Sequence, residues 1–224
     1  MGWLIARVVA LVTALWALVI RRRARLPAEI RIVDPEGAPT IDAHGAARSV
    51  QAAELTIPTG GAPLELWSPE TLERLARTYW RFLERCSLGL IHVAYGEQDR
   101  AVVLICRPFV LIRFDSPQYE LDHERGVVRW RIRGGALVSH RQERRGGFLQ
   151  IDVRRMEPPR DGYQAIHVEV AVLSFYPAIA TLGPRLYERT QAAIHVLVTH
   201  GFLRSLASLD LAKSRTGRFA GASS

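Results

Sequence analysis

Hydrophobic and polar positions follow three different rhythms along this chain. Residues 3–20 read WLIARVVALVTALWALVI, apolar except for Arg7 and Thr13, and Arg21-Arg22-Arg23-Ala24-Arg25 follow at once. As a helix, eighteen residues rise about 27 Å, close to the roughly 30 Å hydrocarbon core of a bilayer. The run predicts a membrane-spanning helix, or one lying in the interface, with Trp3 and Trp16 as interfacial aromatics and Arg7 able to reach the headgroups. The charges follow the apolar run instead of preceding it, which argues against a cleaved secretory signal. Arg21, Arg22, Arg23, Arg25 and Arg31 hold their flank on the cytoplasmic side. The rest of the chain is therefore expected at the cytoplasmic face of a bacterial inner membrane.

The second rhythm is helical. Ser68-Pro69-Glu70 offers an N-cap hydroxyl, a proline at the first helical position and an acid near the positive end of the helix dipole. Leu72, Leu75, Ala76, Tyr79, Leu83 and Cys86 then recur at helical spacing, and Trp67 can staple onto Leu72. The same period returns over 184–209, where Tyr187, Ile194, Val198 and Phe202 form one stripe of an expected amphipathic helix.

The third rhythm is that of strands. A first strand is expected near 50–57, and a meander at 90–95, 101–106, 109–114, 119–123, 127–132, 136–139, 148–153 and 163–173. Glycine- and proline-containing turns separate most of them, and alternation is clearest in Leu149/Ile151/Val153 and Ile166/Val168/Val170/Val172. Pro27, Pro35, Pro39, Gly37 and Gly45 mark residues 27–49 as linker, interrupted by a short extended piece at 29–33. The expected organisation is an anchor at 1–26, a Pro/Gly linker at 27–49, an α+β domain at 50–212 and a basic tail at 213–224.

A net charge of +8 would ordinarily suggest nucleic acid, so its distribution matters. Residues 1–31 carry +5, the tail adds +3 through Lys213, Arg215 and Arg218, and residues 32–212 balance 21 arginines against 21 acids. The expected partner is thus a membrane with anionic headgroups and not nucleic acid. Lys213 is the sole lysine, a skew that reads as coding composition.

Catalytic patterns are sparse. Cys86 and Cys106 lack metal or disulfide spacing and read as reduced core thiols. His167-Val168-Glu169 lacks the P-C-x-x-C that a zinc deaminase requires, and Asp122-His123-Glu124 reads as a turn. His195 and His200 lie about 140° apart around a helix, so they do not converge on one ion. No GxSxG, P-loop or GxGxxG is present, and no cofactor is expected.

A strand, a helix, an antiparallel meander and a long last helix, with Tyr119-Glu120-Leu121-Asp122, Gly126-Val127-Val128-Arg129-Trp130 and Phe175-Tyr176-Pro177, form an order that resembles the START-like helix-grip superfamily over roughly residues 50–209. This is the SRPBCC group of polyketide-cyclase-like and lipid-transfer proteins. The chain departs from that pattern in having more expected strands and one clear helix before the meander. The resemblance implies a sheet gripping the last helix around an apolar cavity lined by Trp130, Leu149, Ile151, Val168, Val170, Ile194, Val198 and Phe202. The alternative is that these side chains fill a solid core. The expected function is a membrane-tethered binding module for an apolar small molecule or lipid. Two other readings stand beside it: a cyclase- or hydrolase-like enzyme using the same cavity, and a scaffold docking a protein through Arg129, Arg131, Arg133, Arg141, Arg144 and Arg145. A dry cavity above about 300 Å³ would favour the first two.

Overall fold

Ile166, Val168, Val170 and Val172 alternate with polar or small residues along a 13-residue strand, which lies inside the sheet with a partner strand on each side. The computed structural model describes residues 27–33, 40–59, 67–87, 89–96, 99–104, 109–140, 146–178 and 193–213. Their elements are β1 (Glu29–Val33), β2 (Thr40–Ile41), β3 (Ala47–Pro58), α1 (Pro69–Cys86), β4 (Ile91–Tyr95), β5 (Asp99–Leu104), β6 (Val110–Asp115), β7 (Gln118–Leu121), β8 (Arg125–Gly134), β9 (Phe148–Met156), β10 (Tyr163–Phe175) and α2 (Ala193–Ser205), which runs into a 3₁₀ turn at Leu206–Ser208. The main sheet order is β1-β3-β10-β9-β8-β6-β5-β4, with β2 on β3 and β7 on β8. Each pairing is antiparallel. Long β8 serves two partners along one edge, β7 over Gly126–Arg129 and β6 near Ile132 and Gly134.

Both helices pack on the face that carries Leu149, Ile151 and Val153. Trp80 of α1 meets Trp130 of β8 edge-on with ring centroids 5.1 Å apart, and Tyr79 meets Phe202 of α2 at the same separation. An antiparallel sheet with a C-terminal helix laid against it fits a helix-grip-like α+β fold. The anchor expected at 1–26, with Trp3, Trp16 and Arg21 to Arg25, lies outside the described residues, as do Cys106, Arg141, Arg144, Arg145 and residues 184–192. Among the described residues no helix is long and apolar enough to cross a membrane.

Helix α1 starts as its sequence dictates. Ser68 Oγ accepts from the Thr71 amide at 3.1 Å, Pro69 opens the first turn, and Trp67 and Leu72 share a small apolar cleft. Its buried arc is wider than the expected stripe, because Thr78 and Trp80 are buried beside Leu75 and Tyr79. The sheet on one side and the last helix on the other leave little of α1 in water.

Three expectations change. The segment 27–49, expected as linker, contributes to the domain: β1 pairs with β3 from Glu29↔Thr56 to Val33↔Ala52, Ala28 is buried, and its amide donates to Ala207 O at 3.1 Å. The strand expected at 136–139 is a loop tied across two strand ends, since Ala136 and Leu137 donate to Val110 and Leu111, and Val138 makes a single bridge to Pro177. Gly135 permits this path at φ +130°, where a Cβ would stand 2.3 Å from Leu111 O. Finally, the described part of α2 is not amphipathic. Gly201 is buried, as are Phe202 and, on the opposite face, Thr199 and Leu203, and Arg204 is the exposed position among its described side chains, because the helix lies between β3 and α1.

Candidate functional site

Side chains from both helices and the sheet leave an apolar cavity of about 170 Å³ between them. Tyr79, Trp80 and Leu83 of α1 form one wall, with Val198 of α2 beside them. Val102, Phe114, Ile132, Leu149 and Val172 form the sheet side, and Leu137 reaches in from the loop that replaces the expected strand. A second, smaller cleft of about 70 Å³ lies at the other end of α1, between Trp67, Leu72, Val168 and Leu206.

The eight residues that the sequence pointed to are therefore divided. Leu149 and Val198 line the larger cavity and Val168 lines the smaller. Trp130, Ile151, Val170 and Phe202 are buried core residues that line neither, and the Ile194 side chain lies outside the described residues. The aromatic cluster explains the modest volume: Trp80 also packs on Phe114 at 5.3 Å, so two indoles and two neighbouring rings occupy space that a larger pocket would need. The expected lining set names no α1 residue: Tyr79 and Leu83 read as ordinary core on the helical stripe, and Trp80 falls off that stripe. It also missed Ser49, which lines the cavity from β3.

The polar groups near the cavity are few and protonated. Burial pushes the Tyr79 phenol well above its ordinary range. Burial likewise pushes the Cys86 thiol up to about 11, and its Sγ lies 3.2 Å from the Leu83 carbonyl. A thiol held protonated at neutral pH is a poor nucleophile. On the same inward face of β3, two residues from Ser49, Gln51 Oε1 and His200 Nε2 lie 2.5 Å apart. Among the described residues no carboxylate, imidazole or cation lines the larger cavity, so the described walls hold no acid–base pair. Among the described residues no group of three His, Cys, Asp or Glu side chains comes together to hold a metal. At Asp122-His123-Glu124, Asp122 Oδ1 accepts from the Glu124 and Arg125 amides at 2.7 Å, an Asx turn; these bonds hold its carboxyl below the usual range.

The arginine-rich outer face of the sheet is largely paired within itself. Asp152 accepts from Arg125 and Arg154 together, Arg129 bonds Gln150 at 3.0 Å and lies over the Phe148 ring, and Arg133 reaches Asp115.

No family model matches the chain, and no curated protein matches its sequence. Among solved structures it is similar to the crystal structure of human STARD10, with 9% identity and a TM-score of 0.32 over 86% of this chain and 77% of that one. It is also similar to an uncharacterized protein from Rhizobium leguminosarum, with 15% identity and a TM-score of 0.24 over 70% and 98% of the two chains. These are weak likenesses of fold and carry no functional argument.

Proposed function

We propose that the domain binds a small apolar molecule in the cavity between α1, α2 and the sheet. The observation that carries this reading is an apolar-walled space of about 170 Å³ between the helices and the sheet, more than twice the volume of the cleft at the other end of α1. Interiors normally close such spaces, and an apolar cavity of about 150 Å³ stays dry and takes up benzene. At about 170 Å³ the space falls short of the roughly 300 Å³ set above for a lipid- or polyketide-sized ligand, which is also the lower bound for pockets that take drug-sized molecules. The size therefore favours one aromatic ring or a short acyl segment over a whole lipid or a polyketide. The absence of acid–base groups from the described walls favours binding over catalysis.

The test uses toluene as probe and the methyl resonances of Ile112, Val172 and Val198 as a local readout. Toluene is expected to shift these resonances in a saturable way. Val172→Phe, which fills the space, should abolish the shifts without lowering thermal stability, since cavity filling commonly adds about 0.5–2 kcal/mol. Absence of saturable shifts in the unaltered protein would reject the reading.

We further propose that residues 1–26 anchor this domain to the membrane with the domain on the cytoplasmic side. The apolar run at 3–20 and the arginines at 21–25 support it. A reporter active only in the cytoplasm, fused after Ser224, should be active. Neutralising Arg21, Arg22, Arg23 and Arg25 should reduce that activity, and activity of a periplasm-only reporter in the unaltered protein would reverse the assigned orientation.

A further inference from the structure

The cavity wall contains one polar side chain that has nothing to bond to. Ser49 sits on β3 opposite Val172 in the β3–β10 register, and both residues line the cavity. Ser49 is 4% exposed, and its buried hydroxyl has no hydrogen-bond partner. Gln51, two residues along on the same face, differs in that its Oε1 faces His200. A buried hydroxyl left unpaired is unfavourable, and nothing in the packing here requires one, since an alanine would present the same shape without the oxygen. The feature makes physical sense if a ligand supplies the partner.

We infer that the cavity ligand is an uncharged molecule with an apolar ring or short chain and one oxygen, which exchanges a hydrogen bond with Ser49 Oγ. This inference rests on the binding function proposed above and narrows it. A hydroxyl both donates and accepts, so a phenol, an alcohol or a ketone would each satisfy it. A charged head group does not fit, because no carboxylate, imidazole, ammonium or guanidinium among the described residues lines the cavity and an unpaired buried charge is strongly disfavoured. A polyol does not fit either, since among the described lining residues only the Tyr79 phenol and the Trp80 indole N–H add polar side-chain groups to Ser49.

Toluene and phenol separate this inference from the reading it rests on, because they exchange a methyl for a hydroxyl on the same ring. Both are titrated into the full chain, with the cavity methyl resonances as readout. Ser49→Ala is expected to weaken phenol by about three- to tenfold, the range of one net hydrogen bond, and to leave toluene unchanged within about twofold. Ser49→Cys, similar in shape but a weak hydrogen-bonding group, should behave like the alanine variant. Equal effects of Ser49→Ala on both probes, or no effect on either, would overturn the assignment of Ser49 while leaving cavity binding intact. Failure of both probes to bind the unaltered protein would overturn both. The thermal midpoint of ligand-free Ser49→Ala should not fall below that of the unaltered protein; a fall would mean that Ser49 already bonds within the protein, and would overturn the inference.

Discussion

Replacing Trp130 by alanine is expected to remove about 3–5 kcal/mol of unfolding free energy, the cost usual for truncating a large core aromatic. Trp130 is 1% exposed and is among the largest fully buried side chains. It stands where β8 meets α1, edge-on to Trp80, and Trp80 in turn packs on Tyr79 and Phe114. Loss of the indole therefore removes one of the aromatic contacts that hold the helix on the sheet. Trp130→Phe keeps a ring there and should cost clearly less. Denaturant titration is the check: the midpoint should fall while the slope stays constant. A loss below about 1 kcal/mol for the alanine variant would mean that this part of the core relaxes freely around the gap.

The second large effect concerns Asp152, whose side chain is 1% exposed although it lies on the outer face of the sheet. Arg125 and Arg154 cover it, each reaching it with two guanidinium nitrogens; the contacts include Arg125 Nη2 at 2.5 Å and Arg154 Nη2 at 3.1 Å. Burial by itself pushes the carboxyl up, but the hydrogen bonds from the two arginines outweigh it and hold the group below its ordinary value of 3.8. A carboxylate with a depressed folded-state pKa stabilises the fold above the unfolded-state value, and that contribution is lost as pH falls through the folded-state value. Asp152→Asn should thus cost about 1–2 kcal/mol at neutral pH. This sits at the lower end for charged hydrogen bonds because both arginines are about half exposed and screened. The difference between the two proteins should stay flat from about pH 8 to pH 5 and narrow below pH 4. Urea denaturation at a series of pH values measures it, and a difference that grew on acidification would contradict the assignment.

How much of this was legible in the sequence depended on whether local chemistry or long-range register decided the matter. The start of α1 is local: Ser68, Pro69 and Glu70 act within one turn, and the helix begins where they place it. The alternation in β9 and β10 is also local, because one face is dry and the other carries the Asp152 cluster. β3 is different. Its inward face runs through Ser49, Gln51, Ala53, Leu55 and Ile57, while Val50 and Ala52 point outward. Read from its first residues alone, the strand would be turned over, since the apolar Val50 lies on the opposite face from the polar Ser49 and Gln51. Pairing of Leu55 with Ile166 and Gln51 with Val170 sets the register for the whole strand, and one polar residue is carried into the cavity as a result. The cavity itself was no more legible, because its walls come from α1, α2 and strands spread over about 150 residues, from Ser49 to Val198. The expected cavity-lining set drew on β8, β9, β10 and α2, which do contribute, but on none of α1, β3, β4, β5 and β6, which also line the space. It could not show that Trp130 and Phe202 would be used up in contacts with Trp80 and Tyr79.

The early start of the sheet bears on how the domain would meet a bilayer. With β1 beginning at Glu29 and Ala28 already bonded to Ala207, seven residues, 21–27, separate the domain from the end of the apolar run at Ile20. Fully extended, seven residues reach at most about 25 Å. Under the anchor proposal the leash is therefore short: the β1 edge stays within about 25 Å of the lipid, and the basic flank at 21–25 occupies the gap. The membrane anchor then limits how far the domain can range as well as giving it an address.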